Sequence, residues 1–234
     1  KKNMTKNRKV LEGFLFALMI LVIWQLLYFV TVEWLQVWKP YSVPSPIGVW
    51  NSLVLLLKSG TLIAATGYSL LRGAVGFIIA IIIGILFGLL INQFDFLNRN
   101  LKPVILGMQT LPSVCWVPFS ILWFGLSQQS IIFVVVMGSA FSMSLAVDNG
   151  IRNVPPLYKK VAVTMGATKK DLYFKVIFPA SVPALIAGLK QGWSFAWRAL
   201  MAGEVMSSTT GLGQTLIIGR DMADINQVML VMII

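Results

Sequence analysis

The chain has 234 residues, 57% of them apolar and only 12% charged, against about 25% charged in a soluble domain, which excludes an ordinary soluble enzyme. Its formal charge of +11 comes mostly from short clusters between apolar blocks, the pattern of the positive-inside rule rather than of a nucleic-acid-binding face. The single cysteine, Cys115, excludes an intrachain disulfide.

Lys1, Lys2, Lys6, Arg8 and Lys9 precede the first apolar block, and Phe14 to Val30 holds one strongly polar side chain, Gln25. About 20 such residues cross the roughly 30 Å hydrocarbon core, so a first span is placed at 11–32 with a cytoplasmic N-terminus. The block is too long for a signal-peptide core, and Glu33-Trp34-Leu35-Gln36 does not fit a small-residue cleavage site, so the span is read as retained. A loop with Pro40, Pro44 and Pro46 follows outside, and Ile47 to Leu57 reads as a short interfacial helix.

Residues 61–92 are helical in pattern and free of proline. They would extend about 48 Å at 1.5 Å per residue, so a bend or interfacial portion is expected near Arg72, Gly73 and Gly76, with the span at 74–92. Gly76, Ala80, Gly84 and Gly88 recur every fourth residue, a stripe of small side chains that predicts close helix–helix packing. Asn92 to Lys102 returns to the cytoplasm with Arg99 and Lys102. The region 103–126 carries Pro103, Pro112 and Pro118 and predicts a kinked span. Further spans are placed at 131–147 and 181–206, with a polar, glycine-containing outside segment between 207 and 224. The apolar run at 222–234 is expected to begin a last span. Counted this way, every Lys/Arg-rich loop falls on one side of the membrane.

Five of the nineteen Lys and Arg residues lie in KKVAVTMGATKKDLYFKVIFP, Lys159 to Pro179. Thr168-Lys169-Lys170-Asp171 has the form of a capping box, and Gly166 is placed to end a preceding helix in the left-handed conformation. The stretch predicts a helix over about 158–165, a turn at Gly166-Ala167, a second helix from Lys169, and return into the membrane at Pro179. It holds no His, no Cys and one carboxylate, so a mechanical role fits it and catalysis does not.

These residues resemble importer permeases of the ATP-binding cassette (ABC) class, whose cytoplasmic loop reads E-A-A, three residues, G, nine residues, I-x-L-P. Here Lys160-Val161-Ala162, Gly166 and Val176-Ile177-Phe178-Pro179 stand at the matching positions. Lys160 replaces the family's Glu and Val161 one of its alanines, which suggests a matching change in the partner's groove or a dispensable Glu. Pro112 to Pro118 with Trp123-Phe124-Gly125, and Ala196-Trp197 with Ala202-Gly203-Glu204, look like the family's third- and fifth-span segments. The pattern is most similar to the branch that imports nitrate, bicarbonate, sulfonates and taurine, and it covers the chain from about residue 40 onward.

The resemblance implies an all-α, polytopic type I ABC importer permease fold with five to six transmembrane helices, in the bacterial inner membrane. It implies a single permease domain over 1–234 whose coupling element at 158–179 meets an ATPase through Lys160, Val161, Ala162, Met165, Gly166, Ala167, Thr168 and Pro179. Two ATPase subunits holding ATP and Mg, an extracytoplasmic solute-binding protein and a second permease chain, as a homodimer, are the implied partners beside the lipid bilayer. The sequence has no Walker-type G-x-x-x-x-G-K-[ST], so ATP hydrolysis is expected on a separate subunit and no cofactor on this chain.

Polar groups inside spans are costly unless paired or functional. Arg198 and Glu204 stand six apart in the fifth span, about 600° around a helix at 100° per residue, so each should face its own partner or a cavity. Arg198 is a candidate electropositive point of the translocation path, or an arginine bonded to neighbouring carbonyls. Glu204 either joins the path or sits near the outer membrane edge. Gln109 and Thr110 are candidate lining of the kinked third span. Trp34, Trp38 and Trp50 fit an interfacial aromatic belt. Trp116 and Trp197 read as packing residues or as an aromatic lining of the path. The resemblance implies transport of a small solute by alternating access, and Arg198 favours an anionic one. An ion-coupled secondary transporter or channel is the competing class, but no second copy of the 159–179 pattern and no acidic proton relay is present. An intramembrane enzyme lacks metal-ligand clusters and paired carboxylates in the spans.

Overall fold

The computed structural model describes residues 6–234, with side chains from Val10 onward. The charges of Lys1, Lys2, Lys6, Arg8 and Lys9, on which the cytoplasmic N-terminus rests, fall outside the described side chains. The described residues are helical and contain no strand. Four helical stretches are long and apolar enough to cross a membrane: Val10–Trp34, Thr61–Gln93, Gln128–Arg152 and Lys169–Ser207. A fifth crossing is available from a helix pair bent by 93°. The protein is multi-pass and all-α.

Packing divides the chain into two compact units, Lys1–Thr66 with Leu212–Ile234, and Gly67–Gly211. In the first, helix α1 (Lys6–Tyr28) continues through a π-helical turn at Phe29–Trp34. Helix α2 (Pro46–Lys58) starts from Ser45, whose hydroxyl accepts from Gly48 N–H, with Pro46 in the first turn where a missing N–H costs nothing. Trp24 Nε1 donates to the Pro44 carbonyl at 3.0 Å, and Ser45 N–H donates to Asn226 Oδ1 at 3.0 Å.

Helix α3 (Thr61–Gln93) opens in the first unit and runs on through the second, where it is joined by α4 (Asp95–Thr110), α5 (Trp116–Phe124) and α6 (Gln128–Arg152). The helices α7 (Pro156–Thr164), α8 (Lys169–Asp171) and α9 (Phe178–Ser207) complete that unit. Back in the first unit, α10 (Leu212–Asp221) and α11 (Ile225–Ile233) form a hairpin. Gln227 Nε2 of α11 donates to the Thr215 carbonyl of α10 at 2.8 Å.

The second unit is built on small residues. A Cβ added at Gly76 would fall 2.7 Å from Val135, one at Gly84 would meet Met143, and one at Gly88 would lie 2.6 Å from Val147 Cβ. Ala80 between them is fully buried. The stripe read from sequence is therefore the seam along which α3 lies on α6. Helix α6 meets α9 in the same way: a Cβ at Gly138 would fall 2.7 Å from Ala199 Cβ, and one at Gly192 2.7 Å from Met143 Sδ. Among apolar helices in lipid no hydrophobic force favours one partner over another, so close backbone approach supplies the packing energy. Buried Ile131, Val135, Ala196 and Leu200 fill the α6–α9 contact, and Val117, Val134 and Ala199 bring α5 onto it. Ser130 Oγ donates to Ser120 Oγ at 2.7 Å, tying α6 to α5.

The structure refines the reading of three regions. The helix Thr61–Gln93 runs without a break at Arg72–Gly76, because Arg72 finds a buried partner and has no need to reach an interface. The kink in 103–126 lies at Leu111–Pro112, with a short 3-10 turn at Ser113–Cys115. Pro103 stays inside α4, and Pro118 occupies the first turn of α5, where its missing N–H has no helical acceptor to lose. The polar, glycine-containing segment 207–224 is largely helix α10. Its glycines serve packing there: a Cβ on Gly219 would meet Gln227 at 3.0 Å.

Candidate functional site

The element at 158–179 is ordered by its caps. Pro156 opens α7, and Tyr158 N–H reaches the Pro155 carbonyl at 3.0 Å. At its far end Gly166 takes φ +79, a conformation that costs a residue with a Cβ about 1 kcal/mol or more. Ala167 N–H donates to the Ala162 carbonyl and Gly166 N–H to the Val163 carbonyl, both at 3.0 Å, the paired closure of a Schellman turn. Thr168 then caps the next helix. Its Oγ1 accepts from Asp171 N–H at 3.2 Å, and Asp171 Oδ2 accepts from Thr168 N–H at 3.3 Å.

The stretch Lys169–Ser207 is 39 residues long, about 58 Å of helix, so its first turns lie outside a 30 Å hydrocarbon core. There Lys175 Nζ meets Asp171 Oδ1 at 2.6 Å. That bond, followed by the Thr168 hydroxyl, lowers the Asp171 carboxyl to about 2. The capping carboxylate is ionised at any physiological pH. Between Leu172 and Ile177 the helix widens to a π-turn, with Phe178 N–H donating five residues back to Tyr173. Pro179 follows this wider turn, and the helix continues through it. Exposure along the element is uneven: Met165 is 82% exposed and Ala162 is buried.

The candidate path residues separate into three environments. Gln109, Thr110 and Arg198 share a cavity of about 430 Å³ with Pro112, Ser113 and Ala202, at the break between α4 and α5. Arg198 Nε donates to the Ser194 carbonyl at 3.2 Å, and its guanidinium carbon lies 5.1 Å from the centroid of the Phe195 ring. Its terminal amines carry no protein partner among the described residues. Thr110 Oγ1 donates to the Gly107 carbonyl at 2.6 Å. Trp116 and Trp197 lie elsewhere. Trp116 packs on Val117, Val134 and Ala199, and Trp197 packs on the α6–α9 core, 6.0 Å from the ring of Trp193.

Glu204 is not among the cavity residues. It is fully buried and accepts from Arg72 Nη1 at 3.0 Å and from Ser69 Oγ at 2.8 Å. Arg72 Nη1 also reaches the Thr210 carbonyl at 2.6 Å. The charge on each of two apolar helices is thereby matched by the other. A second polar hub went unremarked in the sequence: buried Asp148 accepts from Lys102 Nζ at 2.7 Å, Arg152 Nε at 2.6 Å and Asn92 Nδ2 at 3.3 Å. It ties α3, α4 and α6 together immediately before the chain enters α7. The spacing Asp148-x-x-x-Arg152 was the signal available for it. A second cavity, of about 450 Å³, is walled by Ile85, Val147, Phe174, Leu185 and similar side chains and offers almost nothing to a polar solute. No group of three or more metal-binding side chains occurs among the described residues.

Comparison with known proteins places this geometry. Residues 80–234 match the family model described as the binding-protein-dependent transport system inner membrane component. A putative ABC transporter permease protein of Methanocaldococcus jannaschii is 32% identical over 218 residues, covering 91% of this chain and 79% of that one. A formylaminopyrimidine transport permease protein of Halalkalibacterium halodurans is 30% identical, covering 90% and 81%. A putative aliphatic sulfonates transport permease protein of Bacillus subtilis is 28% identical, covering 97% and 81%. Among solved structures, a methionine ABC transporter in an inward-facing conformation aligns with a TM-score of 0.62 at 18% identity, over 74% of this chain and 88% of that one. The fold is that of a type I ABC importer permease.

Proposed function

The chain belongs to the binding-protein-dependent transport inner membrane components, and from that premise we propose that it forms half of an ATP-driven translocation path for a small anionic solute. The coupling element at 158–179 receives a separate ATPase subunit, which holds ATP and Mg. Closure of two such subunits moves two copies of this permease between outward- and inward-facing states, and an extracytoplasmic binding protein delivers the solute. The basic loops, the N-terminus among them, face the cytoplasm.

The single observation that carries the reading is the continuity of Lys169–Ser207. One helical rod begins at the Thr168 cap and holds Arg198 at the wall of the cavity about 29 residues, or roughly 44 Å, further on. A displacement of the chain from the Thr168 cap onward is therefore carried to the cavity along one continuous helix. Arg198 supplies the charge preference: its terminal amines form a planar fork suited to an oxyanion. The Bacillus subtilis relative, named for aliphatic sulfonates, agrees with an anionic solute.

The test is uptake by the reconstituted transporter of anionic solutes, nitrate and a short alkyl sulfonate, with Arg198→Ala and Arg198→Lys beside the wild type. Arg198→Ala should lower uptake at least tenfold while the ATPase stays bound, with Arg198→Lys in between. Equal uptake by all three removes Arg198 from the path.

A further inference from the structure

We propose that the second cavity binds an anionic phospholipid, with an acyl chain between α3, α6 and α9 and the phosphate on Lys169 and Lys170. The cavity, about 450 Å³, shares no lining residue with the one at Arg198. Ile81, Ile85 and Leu89 of α3 line one wall, each four residues after the last, and Met143, Val147 and Ile151 of α6 repeat that spacing on another. Each row follows one helix face for about 12 Å at 1.5 Å per residue. Met143, Val147 and Ile177 are buried and form the floor, while Phe174 and Phe178 stand 75% and 59% exposed at the rim.

The lining fixes the chemistry of the occupant. Only Tyr173 and Ser181 carry a hydroxyl, and Ser181 Oγ donates to the Phe178 carbonyl at 2.8 Å. A polar ligand would lose its water there without replacement. A helix with its side chains is about 10–12 Å wide, and α3 touches α6 beside the crevice, where a Cβ at Gly88 would fall 2.6 Å from Val147 Cβ. The gap admits a chain of methylenes and not a helix.

Hydrocarbon that moves from the bilayer into the crevice leaves one apolar medium for another, so the choice among lipids falls to charge at the mouth. Lys169 and Lys170 stand four residues before Tyr173 and Phe174, on the same face and one turn nearer the polar surface. Both are exposed, and neither has an ion-pair partner among the described residues. Lys175 is held by Asp171 at 2.6 Å, and Arg152, next to Ile151, by Asp148 at 2.6 Å. The two free ammonium groups are therefore the ones open to a phosphate, and basic clusters at the end of a membrane helix attract anionic headgroups.

The experiment uses the full chain, purified in mild detergent with the subunits that accompany it. It is loaded with an equal mixture of phosphatidylglycerol and phosphatidylcholine of the same acyl chains. Native mass spectrometry reads the lipid retained per chain. The wild type should keep phosphatidylglycerol about tenfold or more over phosphatidylcholine, the effect of two lysines at a membrane surface. Lys169→Gln/Lys170→Gln should bring the two lipids to parity. Ile85→Trp and Leu185→Trp should each cut retention of both lipids severalfold by filling the crevice. Ile85 is 42% exposed, so the fold accommodates the larger ring. Equal retention of the two lipids by the wild type overturns the site, and so does unaltered retention in both tryptophan variants. A disulfide between two Phe174→Cys chains, in a Cys115→Ser background, would put a second copy of the permease over the crevice and overturn it as well.

Discussion

Arg72 and Glu204 stand 132 positions apart in the chain and meet at 3.0 Å, with side-chain exposures of 4% and 0%. Removing one member of such a buried pair leaves the other uncompensated, at a cost of about 3–5 kcal/mol. Glu204→Gln and Arg72→Met should each lower the thermal midpoint of the detergent-solubilised protein markedly. The double variant Arg72→Met/Glu204→Leu should lose less than the sum of the two. Additive losses would mean that the two side chains do not act as a pair.

Asp148 is equally buried, but its partners Lys102 and Arg152 are 25% and 38% exposed. They can recover water when the carboxylate is removed. Asp148→Asn should therefore cost only about 1–3 kcal/mol, less than Glu204→Gln in the same assay. The reverse order would contradict the burial difference between the two hubs.

The seam of small residues allows a sharper contrast. A Cβ at Gly84 would collide with Met143, whereas nothing lies within 4 Å of one at Gly107. Gly84→Ala should destabilise by about 1–3 kcal/mol through overpacking, while Gly107→Ala should be neutral or stabilise by up to about 1 kcal/mol. Equal thermal midpoints for the two variants would refute close packing of α3 on α6.

Much of this organisation was legible because membrane helices announce themselves. The long apolar runs, the Gly76–Gly88 stripe, the left-handed Gly166 and the Thr168 cap each have a local cause, so each could be read from a few neighbouring residues. What was missed is non-local. The length of 61–92, not a local signal, suggests a bend near Arg72, whose partner lies 132 residues away, and Asp148 draws on Asn92 and Lys102 from two other helices. Gln109, Thr110 and Arg198 were each singled out by polarity within a span, and the structure places them around one cavity. Glu204, chosen on the same ground, sits apart on Arg72. Polarity marks cavity-lining residues and buried ties alike, and only the tertiary arrangement separates them.

Gly166 joins the two halves of the 158–179 element at φ +79, and its N–H closes α7. Proline there has neither the conformation nor the N–H. Gly166→Pro should abolish ATP-driven uptake while the chain still inserts in the membrane, as judged by fractionation and protease protection. Undiminished uptake would deny the turn its role in coupling.

The most direct measurement is to purify the chain from membranes of the organism that makes it, in mild detergent, and to weigh every stoichiometric partner by native mass spectrometry. The account predicts a nucleotide-hydrolysing subunit in equal number to this permease, lost when residues 159–179 are altered. A stable complex of the permease without any such subunit would contradict it.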